Sequence, residues 1–252
     1  MTDLIIDSDA RGVVRVTLNR PAVHNAFNEG LIGDLTQAFE DLGKQDGVRA
    51  IVLSGNGASF SAGADLNWMQ RAAEKDEFAN REDALALARM FETIDTCPKP
   101  VIGLVQGAAF GGGVGLAACC DVVIAQPEAK FGLTEVRLGL IPAVISPFVI
   151  AKIGRSAARR YFLTGEHFTA AEAHRIGLVH EVASGLEAAG ARLIDALLAG
   201  GPEAIADAKD LVAERRLTAD LTATRIAARR ASEEGREGIA AFLAKRKPGW
   251  ML

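Results

Sequence analysis

Cysteine is scarce in this chain. Only Cys97, Cys119 and Cys120 occur in 252 residues. The adjacent pair cannot easily bridge itself, so a disulfide frame is excluded and a reduced interior is expected. Basic excess is also missing: the formal net charge is −4, which leaves no positive field for nucleic acid. Long apolar runs are absent, since none reaches the roughly 18 residues needed to cross a bilayer. The start, Met1-Thr2-Asp3, lacks the basic opening and apolar centre of a signal peptide. A soluble, cytoplasmic protein with no membrane partner is therefore expected. The four histidines, His24, His167, His174 and His180, do not fall at metal-ligand spacing. No Gly-x-Ser-x-Gly elbow, no Ser/His/Asp set and no 20–50-residue repeat stands out.

What is present is a large apolar content, 49%, enough for one large domain or one domain with a helical appendage. Val13 to Leu18 and Val48 to Leu53 read as strands. Leu31, Leu35, Ala38, Phe39 and Leu42 recur at helical spacing, so Asn28 to Gly43 reads as an amphipathic helix capped by Asn28. Gln70 to Arg81 is charged with a weak apolar pattern and reads as a mobile segment near a site mouth. Ala84 to Thr96 is expected as a helix and Asp121 to Ala125 as a strand. Ile145 to Ile153 and Arg155 to Leu163 are expected as helices parted by Gly154, and Thr169 as the cap of a helix from Ala170 to Arg175. Beyond Val182 the β-branched runs stop. Four helices are expected there: Leu186 to Leu198, Pro202 to Arg216, Leu217 to Arg230 and Ser232 to Lys245. The expected division is a core of residues 1–185 and a helical region of residues 186–252.

Two stretches share one design. The run Val101 to Val105 ends in glycines, four of them between Gly111 and Gly115, which open a small-residue helix from Gly112 to Cys119. The run Ile51 to Leu53 likewise feeds a Gly/Ser turn, Ser54 to Gly63, with a helix opening near Asp65. A strand, a glycine turn and a helix start can aim bare N–H groups at a negative oxygen. The dinucleotide spacing G-x-G-x-x-G is absent. The competing reading of the central glycines is tight helix-to-strand packing. Two such stretches converging on one oxygen would form an oxyanion hole.

The motifs Asn19-Arg20-Pro21 with Asn25-Ala26, Phe60-Ser61-Ala62-Gly63-Ala64-Asp65-Leu66, Lys99-Pro100-Val101 and Gly111-Gly112-Gly113 follow one another along the chain. Cys120-Asp121, Phe131-Gly132 with Glu135, Leu163-Thr164-Gly165 and Ile176-Gly177-Leu178-Val179 follow. Jointly and in this order they resemble the enoyl-CoA hydratase/isomerase, or crotonase, family over nearly the whole chain. The wording from Glu135 to Pro147 is most similar to the methylglutaconyl-CoA hydratase branch of leucine breakdown. The resemblance implies an α/β crotonase (ClpP-like) fold, a spiral of ββα units with a C-terminal helical region. It implies a homo-oligomer, a hexamer built as a dimer of trimers, through residues 186–252. No permanently bound cofactor is implied; coenzyme A arrives as part of the substrate.

Residue roles carry over by motif position. Glu135 becomes the acid/base, and its apolar surroundings suit a raised pKa; the competing reading is a Glu paired with Arg137. The N–H groups of Ala64 and Gly112 become the oxyanion donors. Val23, His24 and Ser61 to Ala64 line the CoA path, with Asp65, Leu66 and Gly111 beside it. Phe242 and Lys245 would reach the CoA of a neighbouring subunit, whereas Lys245 to Lys247 otherwise read as a solvated helix end. Trp68 and Met69 read equally as core or as acyl-pocket wall. Asp121 reads as structural. The sequence departs from the best-known hydratases at Gly115, where they carry a second Glu. That leaves one carboxylate, as in the family's double-bond isomerases. The implied activity is hydration of a branched or dicarboxylic enoyl-CoA such as 3-methylglutaconyl-CoA. The alternatives are a Δ3,Δ2-enoyl-CoA isomerase or a noncatalytic, RNA-binding relative.

Overall fold

Short runs of valine, isoleucine and leucine build the large sheet, because β-branched side chains favour extended backbone and these runs are covered on both faces. The structure, a computed structural model, describes residues 2–214 and 216–251. The chain opens with β1 (Leu4–Ser8), β2 (Val13–Leu18) and α1 (Glu29–Lys44), then β3 (Ala50–Gly55), α2 (Leu66–Glu74) and α3 (Glu77–Asp95). Next come β4 (Val101–Val105), β5 (Ala108–Phe110), α4 (Gly112–Cys119), β6 (Val122–Ala125) and β7 (Lys130–Gly132). α5 (Ser146–Thr164), β8 (His167–Thr169), α6 (Ala170–Arg175) and β9 (Glu181–Val182) complete the sheets. The tail holds α7 (Leu186–Ala199), α8 (Pro202–Ala213), α9 (Ala219–Ala231) and α10 (Glu233–Leu243).

The large sheet has the order β1-β2-β3-β4-β6-β9, and the small one β5-β7-β8. β1 and β2 pair antiparallel, and the large sheet is parallel from β2 onward. The chain advances in turns of a spiral: a strand in the large sheet, a strand in the small one, then a helix. β4-β5-α4 and β6-β7-α5 are two such turns. β3 begins another, since Ser61 bridges Ala109 of β5 before α2 starts. This is the ββα spiral expected from the motifs.

Local signals account for most boundaries. Asn28 caps α1 by accepting from the Leu31 N–H at 2.8 Å, and α1 buries Leu31, Leu35, Phe39 and Leu42. Gly154 interrupts α5 with φ +71°, a conformation that side chains resist. Thr169 caps α6 through the Glu172 N–H. Asp121 accepts the Val101 N–H at 2.7 Å and the Lys209 ammonium at 2.8 Å, tying α8 to the edge of the β4–β6 pair. Its role there is structural, as expected.

The structure differs at Gln70 to Arg81. The segment is helical: α2 runs to Glu74, and Asp76 caps α3 by accepting from the Ala79 N–H at 2.8 Å. The cap and the Lys75–Asp83 ion pair supply what the weak apolar pattern does not. In the tail, α8 ends at Ala213; Arg215, within the longer helix expected, lies outside the described residues. α7 lays Ala189 and Ile194 against Val52, Ile102, Leu104 and Ile124 of the large sheet. The half-buried Arg49 guanidinium donates to the carbonyls of Leu198, Gly200 and Trp250, fastening the tail to β3's start. No helix among the described residues is long and apolar enough to cross a membrane.

Candidate functional site

The two glycine stretches meet side by side. After β3 the chain turns, and Ser61 donates to the Ala108 carbonyl at 3.1 Å while Phe110 donates to the Ser61 carbonyl at 3.0 Å. Gly63 then adopts φ +85°, and a Cβ on it would stand 2.7 Å from the Phe110 carbonyl oxygen and 3.3 Å from the Gly112 nitrogen. Only glycine allows so close an approach. Gly111, at φ +50° and ψ −115°, donates to the Gly132 carbonyl at 2.8 Å and turns the chain into α4.

The geometry leaves two N–H groups unused. In the bridge to Phe27, the bonds run from Phe27 to the Gly63 carbonyl and from Asp65 to the Phe27 carbonyl. The parallel pattern employs the residues flanking Ala64, so the Ala64 N–H takes no part. Gly112 opens α4, where an N–H has no intrahelical acceptor. Among the described residues neither N–H has a hydrogen-bond partner. Both residues border a cavity of about 940 Å³.

Glu135 borders the same cavity. It opens the short 3-10 turn Glu135–Leu138 after β7. Its Oε2 is buried and has no hydrogen-bond partner. Its Oε1 lies 3.1 Å from where a Cβ on Gly111 would stand, so glycine there makes room for the carboxyl. Burial pushes its pKa above the ordinary Glu range. Arg137 does not pair with it; that side chain lies against Gly165.

Further in, the wall is apolar. A Cβ on Gly115 would stand 2.4 Å from Ile145 Cγ2 and 3.0 Å from the Phe91 ring. The space a longer residue 115 would need is filled. No lysine, arginine or histidine is found among the cavity-lining residues.

Ala62, Gly63, Ala64, Leu66, Trp68, Gly111, Gly112 and Glu135 all line the cavity, as does Met69. Ser61 and Asp65 do not. Ser61 donates to the Asn25 carbonyl and accepts from the Gly63 N–H. Asp65 caps α2 through Asn67 and Trp68 and pairs with Arg20 at 3.0 Å. Both side chains hold the loop that presents Ala64. Val23 ends an exposed 3-10 turn, and His24, at φ 53°, accepts the Ala62 N–H on its carbonyl. Phe242 is 82% exposed at the end of α10, and neither it nor Lys245 lines this cavity.

Several lining residues escaped the sequence. Phe27 and Leu87 sit in patterns that read as core, while Thr134 and Asn80 carry no local signal. The segment Leu138 to Ile145 lines the mouth and one wall; its apolar run in a loop, around Pro142, was the available clue.

The sequence matches the family described as enoyl-CoA hydratase/isomerase over residues 8–251. It is 35% identical over 258 residues to the 2,3-dehydroadipyl-CoA hydratase of Escherichia coli, with 98% of each chain covered. The fold superimposes on an enoyl-CoA hydratase from Shewanella pealeana with TM-score 0.96 and 44% identity, covering 99% of this chain and 96% of that one. It also superimposes on Pseudomonas aeruginosa AtuE with TM-score 0.95 and 37% identity, over 100% of both chains. The spiral is thus the crotonase fold. With sequence, topology and the paired glycine loops in agreement, the chain belongs to the enoyl-CoA hydratase/isomerase family.

Proposed function

We propose that this protein adds water across the 2,3 double bond of an enoyl-CoA thioester. The observation that carries the reading is a half-buried Glu135, its buried Oε2 without a hydrogen-bond partner, on the same cavity as two unpartnered N–H groups. The Ala64 and Gly112 N–H groups hold the thioester oxygen as it gains negative charge. Such donors lower the barrier by on the order of 3 kcal/mol each. Ionised Glu135 takes a proton from water as that water's oxygen bonds to C3. The electron pair of the double bond moves to the enolate. Glu135 then returns the proton to C2, so atoms and charge balance. Gly115 and its Ile145–Phe91 neighbours leave no room for a second carboxylate, so one Glu serves both steps.

Among the acyl classes, a branched neutral chain fits better than a dicarboxylic one. A distal carboxylate would enter a cavity without a cation and with two acidic residues, Asp83 and Glu135. 3-Methylglutaconyl-CoA, as in leucine breakdown, is the dicarboxylic case to set beside a neutral 3-methyl enoyl-CoA. CoA would lie along Val23, His24 and Ser61 to Ala64, with Phe242 and Lys245 supplied by a neighbouring subunit of a hexamer. Residues 186–252 form the oligomerisation region in this reading. The three buried free thiols suit a reducing, cytoplasmic compartment.

The second reading, a Δ3,Δ2-enoyl-CoA isomerase, is favoured by the single carboxylate. A noncatalytic role leaves the orphaned Glu135 unexplained, and the net charge of −4 disfavours RNA. Turnover in H₂¹⁸O separates the readings. Hydration places label in a 3-hydroxyacyl-CoA. Rapid 3-enoyl to 2-enoyl conversion with no label would establish the isomerase instead.

A further inference from the structure

Behind Trp68 lies a second cleft, of about 420 Å³, between α1 and α3. Ile32, Gly33 and Thr36 of α1 and Ala86 of α3 line it, together with the polar side chains of Glu29, Gln37, Glu40 and Arg89. Two residues line both this cleft and the cavity of the site: Trp68 and Asp83. Asp83 is held at the partition by its ion pair with Lys75. Trp68 is only 8% exposed, and its Nε1 has no hydrogen-bond partner. A buried indole usually places its N–H on an acceptor. Here the ring stands between the two spaces as bulk, with one wall of each formed by it. The cleft beyond is open: a Cβ on Gly33 would meet nothing within 4 Å.

Burial gives the cavity a direction. Leu66, Leu138 and Ile141 are exposed and mark its mouth, whereas Phe27, Ile145 and Trp68 are buried and mark its depth. An acyl tail whose thioester sits between Ala64 and Gly112 runs from the first set toward the second. We propose that Trp68 is the stop that sets acyl length, and that its removal joins the cavity to the α1–α3 cleft so that a longer straight tail can thread through. This rests on the acyl-CoA reading above and adds its length limit.

The test uses Trp68→Ala, the milder Trp68→Leu, Gly33→Leu and the double variant Trp68→Ala/Gly33→Leu. Affinities for butanoyl-CoA and dodecanoyl-CoA are measured by calorimetry. These saturated thioesters can be neither hydrated nor isomerised, so the readout does not depend on the reaction catalysed. The dodecanoyl-to-butanoyl affinity ratio is expected to rise at least about tenfold in Trp68→Ala, the scale on which added methylenes are discriminated. It should rise less in Trp68→Leu. Gly33→Leu alone should match the parent, and the double variant should lose the gain because leucine blocks the cleft from its far side. A folded Trp68→Leu or Trp68→Ala with the parent's ratio would overturn the proposal. So would a gain that survives Gly33→Leu. A parent protein that binds neither thioester would sink the acyl-CoA reading itself, and this proposal with it.

Discussion

Glu135 joins the chemistry to the cost of burying it. Its carboxyl is held without a hydrogen-bond partner on Oε2, and burial raises its pKa above the ordinary value of 4.5. A group that must start ionised then loses activity as pH falls through that raised value. The acid limb of kcat/KM is therefore expected above pH 4.5, and a limb at or below it would contradict the assignment. Glu135→Gln should abolish turnover while CoA binding and folding persist. Retained activity within about threefold, roughly 0.7 kcal/mol, would show another group does the work. Stability carries the opposite sign. A carboxyl whose folded pKa is raised favours the fold below its unfolded pKa, and that contribution is lost as pH rises through the folded value. Glu135→Gln is thus expected to raise Tm relative to the parent at pH 7, and the gain should shrink as pH approaches 4.5. The same logic of burial pushes the Cys120 thiol up to about 12, which makes it packing rather than nucleophile.

Elements reach the site through their ends. α2 presents Trp68 because Asp65 caps it, and Asp65 is fixed by Arg20 at 3.0 Å. Burial acts to raise the Asp65 pKa, but the Asn67 N–H and the Arg20 guanidinium outweigh it and leave it below 3.8. Its stabilisation is present above pH 3.8 and disappears as pH falls through the lowered folded value. Asp65→Ala removes a cap, about 1 kcal/mol, and leaves the largely buried Arg20 guanidinium with Asp3 as its remaining carboxylate partner. The sum expected from urea unfolding at pH 7 is about 3 kcal/mol. Asp65→Asn should cost less, since its oxygen can still cap. α4 is packed as tightly at Gly115, where the first added carbon would stand 2.4 Å from Ile145 Cγ2. Gly115→Glu is therefore expected to lower stability by more than about 2 kcal/mol and not to raise hydration; a stable variant with faster turnover would refute the filled-wall account. Most elements were legible in the sequence because their signals are local: the Val13–Leu18 run, the Asn28 and Thr169 caps, the break at Gly154. The start of α3 was not, since it depends on the Asp76 cap and on packing rather than on an apolar stripe. The glycine loops and Glu135 could be read from motif order. The filling of the Gly115 space by Ile145 could not, because the two meet only when α4 and α5 pack.

At the scale of the whole molecule, the tail does not finish its own burial. α7 is seated on the large sheet, but Ile239, Phe242 and Leu243 of α10 are 52%, 82% and 74% exposed. Val212 of α8 and Ile226 of α9 are exposed as well. Clusters of this kind mark contact surfaces. Burying each large side chain stabilises an interface by about 1.5–3 kcal/mol. In the proposed reading the occupant is a copy of this chain, which would also complete the site: Phe242 and Lys245 lie off the cavity of their own chain, and Lys245 adopts φ 54° at the end of α10. A neighbour bringing them over the cavity mouth would cover exposed Leu138 and Ile141 and place an ammonium near the substrate's phosphates. Light scattering at micromolar concentration is expected to report a hexamer. Phe242→Asp should dissociate it while leaving the circular-dichroism spectrum of the core unchanged, because that side chain is 82% exposed in its own subunit. CoA affinity should fall with dissociation, and Lys245→Ala should weaken CoA binding without dissociation. A parent protein that is monomeric, or a Phe242→Asp variant that stays hexameric with full CoA affinity, would remove the tail from both assembly and site.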